Sequence, residues 1–226
     1  MDFKNTRLSL QRPISSYTRI QNFWGFMVRN SRKQLSKASY RDKELINIGC
    51  GSNIDKKFFN VDYQWRPGLD LCWDITKGIP LESGLFKGAY TEHCLEHISF
   101  SEAKDVLKEI NRLLVPKGVL RIIVPDAELY LDLYQRHKLG ELVSFPYVTE
   151  EDLERGFSPI MSVNRVFREH GHLYAYDFDC LSLMLKESGF VDIRKEHYKV
   201  GRAKDLLIDS ESRKIESLYI EAIKPT

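Results

Sequence analysis

Gly49, Cys50 and Gly51 follow directly on the apolar run Leu45-Ile46-Asn47-Ile48, and Asp62 ends a second run, Phe58-Phe59-Asn60-Val61, 13 residues after Gly49. Two glycines so placed let the backbone turn sharply and approach a ligand closely, and the turn is expected to present bare N–H donors. An aspartate at the tip of the next strand is placed to accept hydrogen bonds from a ribose diol. Together they imply a nucleoside-containing cofactor. Farther along, Thr91-Glu92-His93-Cys94-Leu95-Glu96-His97 and His170-Gly171-His172, followed by Tyr176 and Asp177, carry imidazoles and carboxylates able to take a proton from an oxygen or nitrogen nucleophile.

Spacing narrows the cofactor. A dinucleotide fingerprint needs a third glycine, a helix start and an acidic residue about 20 positions on. Here Asn53 stands where the third glycine would fall and Asp62 comes too early. A nicotinamide-dependent oxidoreductase is therefore the competing enzyme reading, and a cofactor-binding interaction module without catalysis is the non-enzyme one. His93 and His97, with Glu92 and Glu96 adjacent, have a spacing that suits a metal, but the pattern is not H-E-x-x-H and no metal is expected.

Several ordered motifs beyond the glycine turn carry a resemblance. They are Ile48-Gly49-Cys50-Gly51, Trp73-Asp74-Ile75 with Ile79-Pro80-Leu81, Tyr90 to Ile98, Glu109 to Gly118, and Ile123-Val124-Pro125-Asp126. From about Glu44 to the C-terminus the chain resembles the class I S-adenosylmethionine-dependent methyltransferases, particularly small bacterial-type members. The resemblance implies S-adenosylmethionine as cofactor. The backbone of Gly49, Cys50 and Gly51, with Asn53 beside it, would hold the methionine part, and Asp62 the ribose. Asp74 and the Ile75 backbone would meet the adenine, while Thr91 and Glu92 would border the methionine end. The acceptor would be a small molecule or a sugar-containing glycan precursor, methylated on oxygen or nitrogen. His172, in a segment resembling the family's His-and-Tyr-Asp stretch, is the first choice for base or substrate orienter. His93 and Asp126 are further catalytic candidates. The short link between Gly51 and Asp62 departs from the commoner pattern and should reduce the usual first helix to a turn or two.

To place these groups on one rim, the chain needs a parallel sheet. Apolar runs near residues 44 to 48, 58 to 62, 69 to 73, 87 to 91 and 119 to 124 read as strands, with helical patterns between them. Ser99 and Glu102 form a capping box before a helix over about 100 to 114, and helices are expected over 126 to 137 and 177 to 188. Strands at 190 to 194 and 215 to 223 should end the chain, and the resemblance makes them an antiparallel pair. The expected fold is therefore α/β and Rossmann-like: a mostly parallel seven-stranded sheet with an antiparallel C-terminal strand and helices on both faces. Ligands bind beyond the carboxyl ends of such strands, where Asp62, Asp74, Thr91 to His93 and Asp126 all fall. Between 139 and 171 the regular pattern fails, which reads as an insertion over the site.

Composition sets the frame. With 42% hydrophobic and 29% charged residues, the chain can bury one core. Residues 1–43 hold ten Lys/Arg against two Asp, a balance of +8, which leaves 24 basic and 30 acidic residues, or −6, for 44–226. The expected organisation is a basic, aromatic, helical N-terminal extension over 1–43 and a methyltransferase domain over 44–226. Ile20, Phe23, Trp24, Phe26, Met27 and Leu35 interleave with Arg19, Arg29, Arg32, Lys33 and Lys37, the make-up of a basic amphipathic helix. Its aromatics are expected to pack on the domain, with peripheral membrane contact as the alternative. Nucleic acid is disfavoured, since no base-methylation motif or recognition domain is visible. No apolar run approaches the ~20 residues of a membrane span, no secretory signal is visible, and Cys50, Cys72, Cys94 and Cys180 form no C-x-x-C pair, so a reducing, cytoplasmic setting is expected.

Overall fold

The computed structural model describes residues 19–36 and 40–226. After helix α1 (Arg19–Val28) come strands β1 (Leu45–Ile48), β2 (Phe58–Asp62), β3 (Leu71–Cys72) and β4 (Phe86–Glu92). Helix α2 (Phe100–Leu113) runs into strand β5 (Leu114–Pro125), followed by helices α3 (Ala127–Lys138), α4 (Glu150–Glu154), α5 (Pro159–Arg168) and α6 (Phe178–Glu187), then strands β6 (Val191–Glu196) and β7 (Ser217–Ile223). The strands form one sheet in the order β3-β2-β1-β4-β5-β7-β6. β1 pairs in parallel with β2 and β4, and β7 runs antiparallel to both β5 and β6. This is the expected Rossmann-like α/β fold with its one reversed strand.

Strand alternation divides the side chains between two faces. Ile46, Ile48, Phe59, Val61, Ala89, Leu120, Ile122 and Val124 point to a large apolar core covered by α2 and α6. On α2, Ala103, Val106, Leu107, Ile110 and Leu113 are buried at the spacing of one helical face, and the Ser99–Glu102 capping box closes its start. The alternate positions, Phe58, Tyr90, Ile123 and Tyr219, build a smaller cluster closed by Leu206 of a short 3-10 turn.

Polar groups accompany that second face. Arg121, fully buried on β5, pairs with Asp209 and Glu221, its Nε donating to Asp209 Oδ1 at 2.8 Å and Nη1 to Glu221 Oε1 at 3.1 Å. Its other N–H groups donate to the carbonyls of His197 and Val200, so one cation ties the 197–209 loop to the sheet. Gly201 lies so close that a Cβ there would stand 2.0 Å from Glu221 Oε1.

Three expectations need correction in detail. No helix follows Gly51, which leads through turns directly into β2. β5 begins at Leu114 because that residue still pairs with Phe86 ahead of an irregularity in the ladder. The irregular stretch between 139 and 171 contains α4 and α5, and Pro159, which reads as a breaker, sits at the first turn of α5, where its missing N–H costs nothing.

The extension packs at the carboxyl ends of β2 and β3. Cys72 is held on both main-chain groups by Gln34, Asn30 N–H donates to the Cys72 carbonyl, and the Arg29 guanidinium lies 3.6 Å from the Tyr63 ring centre. Trp24 reaches Trp65 at 6.5 Å between ring centres, yet Phe23, Phe26 and Met27 stay exposed. The aromatics of α1 thus pack on the domain only in part; the side chain of Ile20 and all of Lys37 lie outside the described residues.

Candidate active site

At the tip of β1 the chain turns through Gly49 at φ 68° and Gly51 at φ 54°, left-handed values that favour glycine. Gly49 has no room for a side chain, since a Cβ would meet Cys94 Sγ at 2.2 Å, whereas around Gly51 nothing stands within 4 Å of the same position. The close approach expected of the turn is therefore available over Gly51. The N–H groups are a different matter. Gly49 and Cys50 both donate to the Val61 carbonyl, at 2.8 and 3.1 Å, and Gly51 donates to Asp62 Oδ2 at 2.8 Å. The expectation of bare donors is thus wrong for these three, because the neighbouring strand β2 already satisfies them. Asn53 completes the bend, its N–H donating to Cys50 and its carbonyl accepting from Asn47.

Asp62 ends β2 facing this bend. Its two oxygens accept from Gly51 N–H and, at 2.7 Å, from Gln64 N–H. Burial raises its carboxyl above the usual carboxylate range, while the two backbone N–H groups and nearby Arg66 and Arg29 oppose that rise. Each oxygen has one partner and keeps a lone-pair direction, the requirement for gripping a diol.

Asp74 and Ile75 lie at the next strand tip. Asp74 caps the 3-10 turn Ile75–Lys77, accepting from Thr76 N–H and, at 2.7 Å, from Thr76 Oγ1. Its own N–H donates to Asn30 Oδ1, so the extension fixes this corner. Ile75 is buried in the large core.

The tip of β4 separates its residues by alternation. Thr91 is buried on the side of the large core, but Glu92 points to the other face and accepts from Ser210 N–H at 2.9 Å and from Ser210 Oγ. Glu92 therefore anchors the 207–210 loop rather than facing the glycine bend. His93 takes a left-handed backbone at φ 48°, and His97 follows in a 3-10 turn, Leu95–His97.

Beside this turn opens a cavity of about 500 Å³. His93, Glu96 and His97 line one wall; Arg165, His170 and His172 come from the 139–171 segment and its margin; Tyr147, Arg213 and Glu216 close it. His93 Nε2 meets Ser217 Oγ at 2.9 Å and its Nδ1 stands 3.4 Å from Glu96 Oε1. Burial lowers His93 to about 3 and His97 to about 4, and raises Glu96 to about 8. At neutral pH the His93–Glu96 contact is therefore uncharged on the imidazole side and not an ion pair. His172 is buried, and its Nδ1 stands 2.7 Å from the Val166 carbonyl, which makes Nδ1 the protonated nitrogen and leaves Nε2 with a lone pair. Burial also lowers its pKa, against the opposing effect of that carbonyl.

The structure thus gathers His93 and His172 in one cavity, with Gly49, Cys50, Gly51 and Asp62 together at the glycine bend. Cys94, next in sequence to His93 and ahead of the turn that carries Glu96, packs on Gly49 and so joins the two groups. Asp126 is elsewhere in role: it caps α3, accepting from Glu128 and Leu129 N–H, and sits 3.7 Å from Lys195 Nζ. Sequence reasoning missed Tyr147, Arg165, Arg213 and Glu216. Arg213 donates to Glu216 Oε1, which also accepts from Tyr147, while Oε2 accepts from Tyr130. Their only signal was a pair of opposite charges before a closing strand, too common to single out.

No protein-family model and no curated protein matches the chain. Among solved structures, it is similar to a SAM-dependent methyltransferase of Thermotoga maritima described as a possible histamine N-methyltransferase, at 14% identity over 85% of this chain and 89% of that one, with a TM-score of 0.49. A SAM-dependent methyltransferase of Methanosarcina mazei gives 16% identity, 84% and 96% coverage and a TM-score of 0.49. A phosphoethanolamine N-methyltransferase of Haemonchus contortus, bound to phosphomonomethylethanolamine and S-adenosylhomocysteine, gives 14% identity and a TM-score of 0.46, with 81% of this chain aligned to 49% of that one.

Proposed function

We propose that the chain is an S-adenosylmethionine-dependent methyltransferase acting on an oxygen or nitrogen of a small-molecule or sugar-containing acceptor. The observation that carries this reading is the union of Gly51 and Asp62, a bend open to close approach and a carboxylate aimed at it from the next strand tip. That pair suits a nucleoside whose ribose lies on Asp62 and whose far end reaches over Gly51 toward Cys94. When bound, S-adenosylmethionine supplies a methyl carbon made electrophilic by its sulfonium.

The chain's own residues would position the acceptor and handle its proton. The cavity lies beside the β4 tip, where Cys94 packs on Gly49 of the bend, and burial keeps the His93 and His97 imidazoles in it neutral at pH 7. His172 Nε2 is the first candidate and His93 the second; Arg165 and Arg213 give the same cavity a cationic side. A reducing, cytoplasmic setting fits the free thiols of the four cysteines. Titration calorimetry with S-adenosylhomocysteine and with NADH tests the reading. Binding of the former and not the latter is expected, and the reverse would favour the oxidoreductase.

A further inference from the structure

Glu96 is 1% exposed, and neither of its carboxylate oxygens has a hydrogen-bond partner among the described residues. A buried carboxyl left so is destabilising, and a fold retains it only for a reason. Its surroundings supply one. Atoms of Glu96, His97 and His172 capable of binding a metal all lie within 4.8 Å of one another. His97 Nε2 is 3.9 Å from Glu96 Oε1, and the His97 and His172 rings meet edge to face at 4.9 Å between centres.

We propose that Glu96, His97 and His172 form a binding site for a divalent transition metal of the zinc type, open toward the cavity. The donor set of two imidazoles and one carboxylate is one that zinc takes with a further position left for water or substrate. Bond lengths of about 2.0–2.2 Å would draw the three donor atoms to about 3.4 Å apart, a contraction that side-chain rotation can supply. The supporting contacts are in place. His172 Nδ1 donates to the Val166 carbonyl, which fixes the tautomer and aims the Nε2 lone pair outward, as in ligating histidines whose second nitrogen is held by a carbonyl. His93, itself held by Ser217, stands 3.4 Å from the carboxylate. The sequence argued against a metal because the pattern around His93 and His97 is not H-E-x-x-H; the third ligand, His172, comes from just past the end of the 139–171 segment.

The metal's remaining positions face the cavity and would take an oxygen or nitrogen donor of the acceptor. That role rests on the methyltransferase reading, and His172 would then act through the metal rather than as a free base. The binding site itself stands without that reading.

The test uses the full chain, freed of metal by dialysis against a chelator, with no cofactor or acceptor present. Titration with Zn²⁺ by calorimetry and with Co²⁺ by visible absorbance should give one equivalent. Glu96→Gln and His172→Gln should each weaken binding by roughly 100-fold or more, whereas His137→Ala, at an exposed histidine outside the cluster, should leave it unchanged. Zn²⁺ should raise the melting temperature of the parent and not of Glu96→Gln, and metal-free melting curves establish that each variant is folded. If one of the two ligand variants fails to fold, the other decides. No binding in the parent, or binding that survives in the folded ligand variants, overturns the site.

Discussion

In the proposed function Asp62 holds the cofactor's ribose, and its environment permits a sharp forecast. Replacing it with Ala removes a carboxylate that already holds Gly51 N–H, so S-adenosylhomocysteine should bind about 1.5–3 kcal/mol more weakly, the range for hydrogen bonds to a charged group. Calorimetry on the folded variant checks this; unchanged affinity would remove Asp62 from the site. At His172 the forecast concerns turnover instead. His172→Ala should lower methyl transfer at least tenfold more than it lowers affinity for S-adenosylhomocysteine, since the ring lies in the cavity beside β4 and not at the glycine bend. Equal losses in the two measurements would contradict that division. The sequence made Gly49, Gly51, Asp62 and His172 legible because each belongs to a short local pattern. It could not reveal that Glu92 turns to Ser210 or that Glu96 is buried without a partner, because those outcomes depend on strand alternation and on segments remote in sequence.

At the level of elements, helix α2 and strand β5 set the position of the β4 tip. The Ser99–Glu102 box was readable from sequence, and Ser99→Ala should cost about 1 kcal/mol in urea unfolding. Near the other end of α2, Glu109 accepts from the Ile79 N–H and from Arg112, which in turn holds the carbonyls of Ile79 and Leu81. Burial works to raise the Glu109 carboxyl, but the Arg112 and Ile79 hydrogen bonds outweigh it, so its pKa lies below the ordinary 4.5. Such a group adds stability above its unfolded pKa and loses it as pH falls through the lower folded value. The stability gap between parent and Glu109→Gln should therefore be widest near neutral pH and close below about pH 4.5, as followed by denaturation at several pH values. Arg121 lies on the opposite face. Arg121→Met would leave Asp209 buried without its cation and Glu221 with Arg202 alone, and should cost about 3–5 kcal/mol, while a loss under about 1 kcal/mol would show that the 197–209 loop is held otherwise. Hydrophobic periodicity located these elements to within a few residues. It missed α5 because a proline favourable at a first turn was read as a breaker.

Across the whole molecule, one sheet brings two different surfaces to the same edge: a glycine bend suited to a nucleoside and a histidine-lined cavity suited to proton or metal chemistry. The strands along the chain were legible as apolar runs and the reversed last strand from family resemblance, whereas their order in the sheet was not read. The cavity did not, since its walls come from β4, the 139–171 segment and the residues before β7, which are assembled only by folding. The basic extension packs on the tips of β2 and β3 and leaves Phe23, Phe26 and Met27 exposed, and no helix among the described residues is long and apolar enough to cross a membrane. Calorimetric titration of the intact chain with S-adenosylhomocysteine, beside its Asp62→Ala variant, tests the central claim most directly. The account predicts one equivalent bound by the parent and clearly weaker binding by the variant; no binding by the parent, or equal binding by both, would contradict it.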